Sequence, residues 1–261
     1  MEFSVIIPAR YASSRLPGKP LRIIAGKPLI QHVFECAVRS GALEVVIATD
    51  DERIRSVAEE FGAQVCMTSA AHPSGTDRIA EVIDTLQFDD EQVIVNLQGD
   101  EPLVPAALIL QAVHNLYSHS LASMATLCEP ITATADLLNP NINKVVMDKS
   151  GYALYFSRAP IPWDRAGFGT MPHATTPLPA VAPYYRHIGL YAYRAGFIRD
   201  YVRWPACAIE QAESLEQLRA LWNGAKIHVG VALHTPGPGV DTEDDIERVE
   251  KLLSVAAEQA G

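Results

Sequence analysis

The chain has 261 residues, 48% of them apolar and 20% charged, with a formal net charge of −10 at pH 7. That length and apolar share allow a substantial core, as one large α/β domain or two closely joined lobes, while the acidic balance argues against a nucleic-acid or anionic-membrane surface. No stretch approaches a membrane span, no basic leader precedes an apolar run, and Cys36, Cys66, Cys128 and Cys207 lie too far apart for a metal knuckle or a disulfide framework, so a cytoplasmic protein with buried, reduced thiols is expected.

Residues 3–7 form the first predicted strand, short and apolar on both faces. It feeds a loop, residues 8–20 (PARYASSRLPGKP), that carries Arg10, Arg15 and Lys19 around a single glycine, Gly18. Residues 1–34 hold five cations and one acid, Glu2, so a positive field sits on an acidic body and points to a small anionic ligand. The loop lacks GxxxxGK[ST], and with one glycine among side chains as large as Tyr11 and Leu16 it cannot act as a GxGxxG fingerprint. It offers instead two arginines that can fork onto phosphate oxygens and a lysine acting as a point charge. A solvated basic turn is the alternative.

A helix follows at residues 29–39, where Leu29, Ile30, Val33, Phe34, Ala37 and Val38 recur at helical spacing and Gly41 can terminate it. Strands at 45–49, 64–67 and 93–97 then alternate with helices at 51–61, 77–86 and 106–117, which predicts right-handed βαβ units and a mostly parallel sheet. In such sheets the loops leaving the carboxyl ends of strands build the ligand site. One of these loops is HPSGTDR (residues 72–78), where Ser74, Gly75 and Arg78 can read a base or sugar edge. Another is QGDEP (residues 98–102), where Asp100 stands after an apolar strand, either as a turn former or as a ligand of a hard cation such as magnesium.

Beyond residue 120 the pattern changes. Residues 144–147 and 152–156 flank a DKSG turn and predict a hairpin, hence a mixed sheet or a smaller lobe of roughly residues 130–205 inserted in a single domain spanning 1–261. Residues 160–183 hold six prolines and resist assignment. A strand at 187–193, a helix at 213–222, a strand at 226–232 and a helix at 242–257 complete the chain. Asp241, after a Gly-Pro-Gly turn, is either a second metal ligand beside Asp100 or the cap of the last helix. Arg158, His187, Glu210 and Gln211 are candidate contacts to a polyhydroxylated substrate, with surface or structural roles as alternatives.

Several segments together have a familiar form. IPARYASSRLPGKPL (7–21), ATDD (48–51), HPSGTDR, VNLQGDEP (95–102), YALYFSRAPIPWDR (152–165), RHIGLYAYR (186–194), LEQLRALWNGAKIHV (215–229) and GVDTEDD (239–245) resemble, in order and spacing, the CMP-Kdo synthetases. These are the 3-deoxy-manno-octulosonate (Kdo) cytidylyltransferases of Gram-negative bacteria. The resemblance covers nearly the whole chain, and departs from the family pattern at Asp77, where Glu is expected. It implies a Rossmann-like mixed α/β sheet with flanking helices and a smaller hairpin-containing lobe, as in nucleotide-diphospho-sugar transferases. The implied reaction is CTP plus Kdo giving CMP-Kdo and pyrophosphate, for lipopolysaccharide biosynthesis.

The same resemblance implies roles for individual residues. Arg10, Arg15 and Lys19 would bind the triphosphate, with Ser13, Ser74 and Gly75 along the nucleotide. Asp100 and Asp241 would hold Mg²⁺, and Gln98, Arg78, Arg158, His187 and Glu210 would form the Kdo pocket. Catalysis would fall to Asp100, Asp241, Lys19, Arg10 and Arg15, by direct attack of the sugar hydroxyl without a covalent enzyme intermediate. A homodimer without nucleic-acid or membrane partners is also implied. The competing readings are a CMP-sialate synthetase-like enzyme and a catalytically silent nucleotide-binding module; a DxD glycosyltransferase finds no such motif at a suitable strand end.

Overall fold

The computed structural model describes residues 1–12, 16–169, 172–180 and 182–260, with the backbone alone for 256–260. In chain order the elements are β1 (Ser4–Ala9), β2 (Ile23–Ile24), β3 (Lys27–Pro28), α1 (Leu29–Arg39), β4 (Glu44–Thr49), α2 (Glu52–Glu60), β5 (Gln64–Met67), α3 (Gly75–Thr85) and β6 (Val93–Asn96). They continue with α4 (Ala106–Ser118), β7 (Met124–Pro130), α5 (Thr134–Leu138), β8 (Lys144–Met147), β9 (Ala153–Ser157), α6 (Arg165–Phe168) and β10 (Tyr185–Arg194). The last are α7 (Ala195–Tyr201), α8 (Ala208–Glu213), α9 (Gln217–Trp222), β11 (Ile227–Val231) and α10 (Glu243–Ala260).

The main sheet runs β11-β7-β10-β6-β1-β4-β5, and β8 pairs with both β10 and β9. All neighbours on this path pair in parallel except those of β10, which is antiparallel to both β6 and β7. Alternate strand residues feed opposite layers, as the two-residue period requires. Val5 and Ile7 of β1 point into a core with Ile30 and Val33 of α1, Ile54 of α2 and Leu108 of α4. Ile6, between them, joins the opposite core with Ile79 and Ile83 of α3, Ile198 of α7 and Leu218 of α9. Burial on both faces explains why these strands read as unbroken apolar runs.

The βαβ half matches the sequence expectation closely. Elsewhere agreement is partial. Strand β7, in the middle of the sheet, lies where no element was expected. The expected hairpin forms as β8–β9 and joins the main sheet through β8, which gives the mixed sheet. The helix expected over 213–222 is shorter, α9 starting only at Gln217, because Ser214 ends the preceding α8 with a left-handed φ of 51°. Within residues 160–183 the described part has one helix, the four-residue α6, and Phe168 packs with Ile131, Leu137 and Tyr184 in a small separate cluster. All four cysteines are buried and unpaired. Among the described residues no helix is long and apolar enough to cross a membrane.

Candidate active site

The parallel strands β1, β4, β5 and β6 end on one edge of the sheet, and their loops meet there. At the end of β1, Arg10 donates from Nη2 to the carbonyls of His72 (2.6 Å) and Ser74 (3.1 Å), tying the basic loop to the segment after β5. Ser74 caps α3: its hydroxyl accepts from the Asp77 amide, while Asp77 takes the hydroxyl proton at 2.6 Å. Aspartate at position 77, where glutamate was expected, thus braces the capping serine through its hydroxyl.

The basic loop is held in shape by its own aromatic ring. Gly18 donates its amide to the Tyr11 carbonyl at 3.0 Å and adopts φ 69°, and a Cβ there would stand 3.1 Å from the Tyr11 ring. The Arg53 guanidinium of α2 stacks 3.3 Å over the other partner of this contact, the Tyr11 ring centroid, and is itself fixed by Asp51 through two hydrogen bonds of 2.9 and 2.6 Å. Leu16 is buried against Ile24, Leu29 and the α10 residues Ile246 and Val249. The single glycine of the loop thus serves a tight turn. Ser13 and Arg15 lie outside the described residues.

Asp100 and Asp241 come together although 141 residues separate them in sequence. Their loops are joined directly, since the Val240 amide donates to the Asp100 carbonyl at 2.8 Å. Gly99 permits the approach of the β6 loop to β1, because a Cβ there would lie 2.8 Å from the Pro8 carbonyl oxygen. Lys19 then closes the group: its Nζ donates to Asp100 Oδ2 at 2.7 Å, to Asp241 Oδ1 at 3.1 Å and to the Val240 carbonyl at 2.9 Å. Burial works against the Lys19 charge, but the two carboxylates outweigh it and hold its pKa above the usual lysine value. Beside them the Glu101 carboxyl, pushed up by burial and then by Asp100 and Asp241, titrates at about 7. Thr242 caps the last helix: its hydroxyl accepts from the Asp245 amide at 3.4 Å, while its own amide and hydroxyl donate to the Asp245 carboxylate. The Asp241 carboxylate meets Lys19. Arg10, Lys19, Gln98, Asp100 and Asp241 line one cavity of about 310 Å³.

Gln98 also lines a second cavity, of about 350 Å³, walled by His187, Tyr191 and Tyr193 of β10, by Gly75 and Thr76, and by Glu216 and Gln217 at the start of α9. A bulge between Ile188 and Tyr191 turns β10 toward this space. Polar atoms on its wall are buried without a protein hydrogen-bond partner among the described residues, among them the Gln217 amide nitrogen and the Asn143 amide oxygen. A donor and an acceptor of this kind are what a ligand hydroxyl completes. Glu216 accepts from the Thr76 hydroxyl at 3.0 Å, and its pKa is raised chiefly by burial. The His187 ring is within 3.0 Å of the Thr126 hydroxyl, and burial lowers its pKa to about 3, so it stays neutral near pH 7.

The residues expected to form the sugar pocket thus separate. Gln98 and His187 line the second cavity; Arg78, Arg158 and Glu210 do not. Arg78 is fully buried behind the loop after β5, facing Thr68 and Asp50. Arg158 donates to the backbone carbonyls of Glu213 (2.6 Å), Pro140 (3.0 Å) and Ser214 (3.4 Å), bracing the turn between α8 and α9. Glu210 is paired with Arg219 at 2.5 and 2.8 Å and receives the Cys207 amide, a capping role for α8. The acid and amide that reach the cavity are Glu216 and Gln217, six positions downstream of Glu210 and Gln211. One continuous helix over 213–222 hides the break at Ser214, after which Glu216 and Gln217 line the cavity.

Comparison with known proteins gives a consistent result. The cytidylyltransferase family profile matches residues 4–227. The 3-deoxy-manno-octulosonate cytidylyltransferase of Idiomarina loihiensis is 56% identical over 252 residues, covering 97% of this chain and 98% of that protein. The protein of the same name from Hahella chejuensis shows the same identity and coverage. A solved structure of CMP:2-keto-3-deoxy-manno-octonic acid synthetase complexed with CTP superposes with a TM-score of 0.88 at 40% identity, covering 98% of this chain and all of that one.

Proposed function

Because the chain belongs to the cytidylyltransferase family, we propose that it transfers the CMP portion of CTP to the anomeric hydroxyl of Kdo and releases pyrophosphate. The single observation that carries this reading is the meeting of two cavities at Gln98, one lined by Arg10, Lys19, Asp100 and Asp241, the other by hydrogen-bonding side chains around His187 and Glu216. The first suits a polyphosphate and the second a polyhydroxylated sugar. A relative solved with CTP at 40% identity supports the nucleotide, and the names of the 56% identical relatives support the sugar acid.

In this reading the cations Arg10, Arg15 and Lys19 bind the triphosphate and balance the charge that builds on departing pyrophosphate. Ser13, Ser74 and Gly75 lie along the nucleotide. Gln98, His187, Tyr191, Glu216 and Gln217 orient the sugar so that its hydroxyl faces the α-phosphorus, which turns a meeting of two anions into a positioned displacement. Asp100 and Asp241 fit a hard divalent cation. Their oxygens converge on one cationic group at 2.7 and 3.1 Å, and among the described residues no set of three or more His, Cys, Asp or Glu side chains forms an all-protein cage. Two carboxylates with the remaining positions left to phosphate and water is the pattern of magnesium. When bound, Mg²⁺ would supply charge neutralisation and lower the pKa of the attacking hydroxyl. A cytoplasmic homodimer serving lipopolysaccharide synthesis, with residues 130–205 as the part that meets the sugar and the partner subunit, completes the proposal.

A substrate panel tests it. Pyrophosphate release should require CTP and Kdo together and should be weak or absent with N-acetylneuraminate. Equal rates with both sugar acids would move the assignment to a sialate-type enzyme.

A further inference from the structure

An ammonium group has three protons. Those of Lys19 serve Asp100 Oδ2, Asp241 Oδ1 and the Val240 carbonyl, at 2.7, 3.1 and 2.9 Å. A lysine engaged in this way has no donor to offer a phosphate. Its charge also stands between the two carboxylates, where a divalent cation bridging Asp100 and Asp241 would have to come. Phosphate binding by Lys19 and cation binding by the aspartates therefore compete for the position of one side chain.

We infer that Lys19 is the resident counter-ion of the Asp100–Asp241 pair, and that a nucleotide phosphate drawing it away is what opens the pair to a divalent cation. Nucleotide and metal binding are then positively coupled through one side chain. This inference rests on the proposed CTP and metal sites.

Three features support it. First, the backbone under Lys19 is fixed: Gly18 is locked against Tyr11, Pro20 is buried, and the short turn Lys19–Leu21 is hydrogen-bonded at both ends. Movement is left to the four-carbon side chain, which is long enough to swing within the cavity it shares with Arg10. Second, two carboxylates held this close, with Glu101 buried beside them, repel one another unless a cation sits between. Third, Arg10 of the same loop rests on neutral carbonyls, those of His72 and Ser74. It can bind phosphate without leaving a carboxylate, whereas Lys19 leaves an oxygen of each aspartate when it departs.

The test is Mn²⁺ binding to nucleotide-free protein, read from the EPR signal of the free ion. Lys19→Met should bind Mn²⁺ at least tenfold more tightly than the unmodified chain, and adding Asp100→Asn to it should remove the gain. Arg10→Met, which deletes the same charge from the same loop without touching a carboxylate, should change the affinity less than threefold. Lys19→Gln, which keeps a donor without charge, serves as the second variant if methionine is not tolerated. Unchanged affinity in the Lys19 variants, or an equal gain in Arg10→Met, would overturn the inference. A companion titration with CTP, corrected for the Mn²⁺–CTP complex, separates it from the parent reading. If unmodified protein and Asp100→Asn then hold Mn²⁺ alike, the metal site itself fails. If they differ while Lys19→Met gains nothing, only the counter-ion role fails.

Discussion

Asp100, Asp241 and Lys19 are one electrostatic unit built from three distant parts of the chain, and substitutions in it should act on chemistry before stability. Asp100→Ala removes a carboxylate that is about one-third exposed, so a folded protein is expected, with turnover reduced by roughly two orders of magnitude or more. Circular dichroism and pyrophosphate release together check both halves of that statement. Lys19→Ala should raise the KM for CTP more than that for Kdo, and steady-state titration of each substrate reads the difference. Glu216→Gln, at the wall of the second cavity, should do the reverse, raising the KM for the sugar acid by about tenfold, the worth of one lost charge-assisted hydrogen bond. Residues at the ends of strands were legible in the sequence, because an apolar run followed by Arg10, Asp100 or Asp241 places them at the carboxyl edge whatever the tertiary detail. Glu216 and Gln217 were not, since their inward turn depends on one left-handed residue. Arg78, Arg158 and Glu210 carry the same charges as binding residues, and only packing shows that they brace loops and helix ends.

The basic loop, the capped helix α3 and the turn before α10 act as elements, each preset by local chemistry. Gly18 has no L-residue substitute at φ 69° against an aromatic ring. Gly18→Ala should therefore cost on the order of 1–2 kcal/mol, measured by urea unfolding, and raise the KM for CTP because the strain falls on the loop that presents Lys19. Helices α1, α2 and α4 were legible to within a residue or two because of their apolar spacing, with Gly41 closing α1. Strand β7 was missed for the opposite reason. MATLCEP has few β-branched residues, and its strand character comes from β10 and β11 pairing on either side of it.

Across the whole molecule, the order of strands sets where chemistry can occur. Reversal of β10 between β6 and β7 brings His187 and Tyr191 to the edge where the parallel strands end, so the walls of the two cavities share one rim. The same burial links stability to pH. His187 and His228 are held neutral, with pKa values lowered by burial to about 3 and about 4, and the stacked His119 ring adds to the effect at His228. A folded-state pKa below the unfolded one means the unfolded chain binds more protons. Their stabilising contribution is complete above about pH 6.5 and is lost as pH falls toward 3–4. Each histidine thus takes up to about 1.4 kcal/mol per pH unit from the unfolding free energy as pH falls from about 6.5 to 4.5, while Glu101, raised to about 7, acts in the opposite direction over the same window. Urea titrations at each pH should therefore show His228→Gln gaining stability relative to the unmodified chain at pH 4.5 compared with pH 7.

The central claim is that this rim joins the α-phosphorus of CTP to a sugar-acid hydroxyl. Phosphorus NMR of the protein with CTP, Mg²⁺ and Kdo tests it most directly. The account predicts a new phosphodiester resonance growing in equal amount with pyrophosphate, only when both substrates are present, and lost in Asp100→Ala. Pyrophosphate and CMP appearing without the diester, or intact CTP binding with no conversion at all, would contradict it.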